Sequence, residues 1–199
     1  MLNLDPANQE AIGLAMNEAT LLGVEVDTES RMAGVTLDVL TLPERGDPPS
    51  DRRVQFVLSP VGRVAASLRL GRWNDAGAPV EHFEIGALLG IVESFKTSIY
   101  GWEFFDQHEK EMAGWGARLS VNWRSGSDGL SHSLFLFQEG GPQRHLDLCI
   151  WFDELVLRDP RGREIAQDEF IAGGRRWWTA FRAGDPRTHG EGLIPLKEG

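Results

Sequence analysis

The chain has 199 residues, with one Cys, seven Trp and a formal net charge of −10. That length suits one domain able to bury a core of its own. With 41% hydrophobic and 25% charged residues it has the balance of a globular chain, which excludes a disordered chain, a disulfide scaffold, a collagen-like repeat and a coiled coil.

Residues 5 to 22 read as a helix, with Asp5 as N-cap, Pro6 at the first helical position and Ile12, Ala15, Met16, Ala19 and Leu22 as an apolar stripe. Gly23 then supplies a stop. Val24, Val26 and Thr28 alternate with acidic residues, and Val35, Leu37 and Val39 resume the alternation after a turn, so a hairpin is expected. Residues 43–53 form a polar loop. Val54, Phe56 and Leu58, then Val64, Ala66, Leu68 and Leu70, give two more strand patterns, and Pro60-Val61-Gly62 between them predicts a tight hairpin turn. Residues 83–97 predict a buried helix in which Gly86 and Gly90 allow close packing. The stretch 99–116, aromatic and acidic together, has no clear period.

Strand patterns return from 117. Leu134 to Phe137 is continuously apolar, as in a strand covered on both faces. Leu146, Leu148, Ile150 and Phe152 mark one face of the next strand, and Asp159-Pro160-Arg161-Gly162 marks a tight turn after it. A last helix is expected from about Asp168 to Phe181, with Gly173-Gly174 as a candidate break. Residues 1–183 are therefore expected to form a single domain, and 184–199, rich in Gly and Pro, an extended tail. The fold class is α+β: a curved, mainly antiparallel sheet of about seven to nine strands, in one layer, a sandwich or a half-barrel, packed with N-terminal, central and C-terminal helices.

The N-terminus lacks a signal-peptide pattern. The strongest apolar stretch, Ala87 to Val92, is far short of the roughly 20 residues a membrane span needs. The single Cys149 fits a reducing, cytoplasmic compartment, as an inert thiol inside a strand. The acidic balance argues against non-specific nucleic-acid binding. Nothing in the sequence calls for a cofactor, and Gly-x-Ser-x-Gly and His-Glu-x-x-His are both absent.

Three constellations carry chemistry. Period-two geometry puts His145, Asp147, Cys149, Trp151 and Asp153 on one face of a strand. With Arg118, Asn122 and Arg124 from a neighbouring strand, that face predicts a polar pocket suited to ligand binding or acid–base work. A solvated sheet face with cross-strand charge pairs is the plainer alternative. In the run Glu103 to Glu111, His108 and Glu111 have a helical spacing usable for a metal, although recognised zinc sites bring more His or Cys. Arg175-Arg176-Trp177-Trp178 reads as a core anchor or an interface hot spot. Trp73, Trp102 and Trp115 lie in segments without period, where an unexpected surface would show first.

The charge is unevenly spread: residues 1–50 net −7, 51–80 net +3 and 81–111 net −5. Two functions are therefore expected as alternatives. One is a non-enzymatic, protein-binding or regulatory module that meets a basic partner through acidic segments. The other is a small-molecule binder or enzyme with its pocket around His145, Asp147, Trp151 and Asp153.

Overall fold

The computed structural model describes residues 2–191 and 193, apart from 76, 96, 102, 108–111, 113, 141 and 142. The elements among them are α1 (Pro6–Met16), β1 (Thr20–Asp27), β2 (Met32–Asp38), β3 (Arg53–Arg69), β4 (Val80–Glu81), α2 (Leu88–Phe95), β5 (Val121–Arg124), β6 (His132–Glu139), β7 (His145–Arg158) and α3 (Gln167–Arg182). All seven strands join one open antiparallel sheet, ordered β1-β2-β3-β7-β6, with β4 and β5 added beside β3. The α+β architecture is as expected, and the arrangement is one sheet rather than a sandwich. No helix among the described residues is long and apolar enough to cross a membrane.

β3 is the axis of the sheet, and it corrects the expected hairpin. Arg53–Arg69 is one strand of 17 residues. Its first half pairs with β2 and its second with β5 and β4, while β7 accompanies it from Gln55 to Arg69. Pro60 and Gly62 sit where the neighbour changes and where the β7 register slips, between Val61 and Arg63. A strand tolerates a residue with no N–H at such an irregularity. Gly62 is needed there for close approach: its N–H donates to the Gly129 carbonyl at 3.0 Å, and a Cβ would stand 2.3 Å from the Asp128 carbonyl oxygen.

The first helix starts as expected and stops for a tertiary reason. Asp5 caps α1 by accepting the Asn8 N–H at 2.9 Å. The helix then ends at Met16, short of Leu22, because Glu18 takes a φ of 61° and the sheet claims the residues beyond it. The Ile99 N–H donates to the Ala19 carbonyl, and Leu21 pairs with Leu37. Strand pairing here overrides a helical stripe of modest propensity. The central helix is also shorter than 83–97, with a 3₁₀ turn at Ile85–Ala87 before α2. A Cβ on Gly86 or Gly90 would meet nothing within 4 Å, so these glycines do not serve close packing.

α3 runs unbroken through Gly173-Gly174. A Cβ at Gly173 would stand 2.3 Å from Thr41 Oγ1, and one at Gly174 2.6 Å from the Ala15 Cβ, so the pair lets α3 lie against α1 and the 40–42 segment. Trp177 is buried there with Leu40 and Leu42, and the Trp178 indole N–H donates to the Leu14 carbonyl at 3.0 Å. Trp177 and Trp178 of the Arg175–Trp178 motif therefore anchor α3 against α1 and the 40–42 segment. Beyond α3, Thr188 is buried and Glu191 pairs with Arg52.

The three helices cover one face of the sheet. Ile12, Met16, Val92 and Phe170 pack there against Phe56, Leu58, Leu148 and Ile150. The opposite face carries a smaller cluster, in which Trp115 covers Ala65, Cys149 and Trp151. Elsewhere that second face is open and floors a groove.

Candidate functional site

On β7, side chains 145, 147, 149 and 151 share the second face, as the alternation predicts. That face is not a solvated one: His145 is 1% exposed, Asp147 5%, Cys149 0% and Trp151 5%. The registers build three rows across the strands. Arg69 and Glu139 flank His145, Ser67 and Phe137 flank Asp147, and Ala65 and Phe135 flank Cys149.

The first two rows floor a pair of open hollows of about 500 and about 480 Å³. Trp73 and Tyr100 line both hollows and are largely exposed, at 63% and 53%. The larger hollow is bounded by Arg69, Asp147, Phe135 and Phe137 on the sheet and by Glu103 and Phe104 on a segment running beside β6. The smaller is bounded by Arg72 and Asn74 on one side and Glu139, Arg144 and His145 on the other.

The floor is polar and buried. Arg69 donates from its terminal nitrogen to the Asp147 carboxylate, while its Nε–H has no partner. Burial, helped by the nearby charge of Arg118, holds the Arg69 pKa below its ordinary value. His145 Nδ1 lies 3.1 Å from the Gly71 carbonyl. A carbonyl only accepts, so the proton sits on Nδ1 and Nε2 is left as an acceptor, also without a partner. Burial first, then the Arg69 charge, lowers the His145 pKa below its usual 6.5, so the ring is neutral at pH 7. Arg144 donates to Ser94 Oγ at 3.0 Å, its guanidinium lies 5.0 Å from the Phe95 ring centroid, and its Nε–H is a further unpaired donor. Each buried polar atom left unpaired costs about 1–3 kcal/mol.

The remaining expected residues lie outside the groove or beside it. Arg118 donates to the Ala78 carbonyl next to Arg69. Trp151 sits further along the face under the Arg63 guanidinium, 4.4 Å from its ring centroid, and Arg124 stands opposite Arg63 on β5. Asp153 lies past the register slip, where it accepts N–H bonds from Gly129, Leu130 and Ser131 and holds that loop. The Cys149 thiol is fully buried, and burial pushes its pKa far up, away from nucleophilic use. His108 and Glu111 lie outside the described residues. Among the described residues, no group of three or more His, Cys, Asp or Glu is placed to hold a metal. Asp106 in the same run holds structure, accepting from the Ser133 N–H at 2.7 Å and contacting His132 Nδ1 at 3.1 Å.

Arg69 and Arg144 carried no signal of their own in the sequence, whereas Glu103 opened the acidic run and Tyr100 lay in the aromatic 99–116 stretch. Trp73 carried one as a tryptophan in a segment without period. Of its two companions, Trp115 is buried at 3% exposure, and Trp102 lies outside the described residues. No known protein family, curated protein or solved structure matches this chain.

Proposed function

We propose that the protein is a binding module for a small polar molecule, seated in the groove over Arg69, His145 and Asp147. One observation carries the reading: two exposed aromatic side chains, Trp73 and Tyr100, stand over a buried polar floor that holds unpaired hydrogen-bonding atoms. Ligand sites combine apolar walls with a few fixed polar groups in this way. The buried Cys149 thiol suits a reducing compartment such as the cytoplasm.

A fragment screen by NMR on the indole N–H signals tests the reading. Bound fragments should shift the Trp73 signal, and Trp73→Ala should abolish their binding. Fragments that shift only other tryptophans would remove the groove as the site.

The rim itself favours a second reading. Leu70 joins Trp73 and Tyr100 among the exposed large apolar residues, and exposed aromatics are frequent anchors in protein interfaces. The acidic 81–111 segment, which carries Tyr100, would draw a basic partner protein to the Tyr100 side of this rim. Such an association would weaken with added salt and would be lost in Trp73→Ala.

A further inference from the structure

We infer that the ligand of this groove is an uncharged, hydroxyl-rich molecule, a sugar or sugar-like polyol, stacked on Trp73 and Tyr100. The inference rests on the groove being a ligand site and goes on to its chemistry.

Taken together the charges lining the two hollows balance, with Arg69 against Glu103 and Asp147 in the larger and Arg72 and Arg144 against Glu139 in the smaller. An anion such as a phosphate would be met by carboxylates as well as by arginines, and a cation would meet the reverse. The site therefore favours a ligand with no net charge.

The polar groups lining the hollows are of both kinds: the guanidinium groups of Arg72 and Arg144 donate, and the carboxylates of Glu103 and Glu139 accept. A hydroxyl is the simplest group that both gives and takes a hydrogen bond, and neighbouring hydroxyls on one ring present both roles side by side. The exposed rings supply the remaining element, broad apolar faces with little conformational freedom, suited to the C–H face of a pyranose. The open shape of the groove also fits a ligand that keeps part of its surface in water, rather than an apolar one that must be enclosed.

Calorimetric titration of the full chain tests this. The probes are glucose, galactose, mannose and their disaccharides, set beside nucleoside monophosphates and aromatic carboxylates. The expected result is saturable binding of at least one neutral sugar, little changed by salt, and weakened about tenfold or more by Trp73→Ala. The variant should keep its melting temperature, since the side chain is exposed. Trp73-dependent binding of an anionic or aromatic probe, with none of the sugars bound, would overturn the ligand class while leaving the groove a binding site. No Trp73-dependent binding by any probe would overturn both.

Discussion

His145 couples the stability of the fold to pH through its lowered pKa. Near pH 7 the ring is neutral in both folded and unfolded chains, so its contribution to stability is fully present. Below the ordinary value of 6.5 the unfolded chain takes up a proton that the buried ring resists, and stability falls with pH until the folded-state pKa is reached. The carboxylates of Asp51 and Asp185, each held at about 2 by a neighbouring arginine, act in a different window, losing their contribution only below about 3.8. Urea midpoints measured between pH 7 and about pH 5 should therefore fall for the native chain and fall less for His145→Gln. Parallel curves for the two proteins would mean that the ring is not held neutral.

Among the elements, the glycines separate backbone propensity from packing. Gly90 lies in α2 with open space around its Cβ position, whereas a Cβ at Gly174 in α3 would press on Ala15 at 2.6 Å. Replacing a helical glycine by alanine gains about 1 kcal/mol in propensity, while overpacking costs about 1–3 kcal/mol. Gly90→Ala should therefore raise the urea midpoint and Gly174→Ala lower it. Gly62→Ala, blocked by the Asp128 and Gly129 carbonyls, should lower it at least as far. If Gly174→Ala stabilised as Gly90→Ala does, the close contact of α3 with α1 would be wrong.

The same positions show how far the sequence could be read. Periodicity identified the strands of β1, β2, β6 and β7 and the start of α1, because alternation and capping are local. It misread Pro60-Val61-Gly62 as a reversal, because a turn signature and a bulge signature use the same residues. Only the long-range partners β2, β5 and β7 decide between them. Gly173-Gly174 misled in the same way: the reason for glycine there is Thr41 and Ala15, far away in the chain.

For the molecule as a whole, the two faces of the sheet divide the work. The helices bury one face into the main core, and Trp115 covers only part of the other, so hollows remain over the end of that second face that carries Arg69, His145 and Asp147. The alternation along β7 revealed the floor of this site. Its walls come from the 71–74 segment and from Tyr100, Gly101, Glu103 and Phe104, which lack any periodic pattern and are brought in only by the fold. If these parts, distant in sequence, make one binding site, a crystal of the protein soaked with a mixture of polar fragments should reveal it. Density is expected between Trp73 and Tyr100, in hydrogen-bond contact with Arg72, Glu103 or Glu139. Fragments bound reproducibly elsewhere, with the groove empty, would show that the groove is not a binding site.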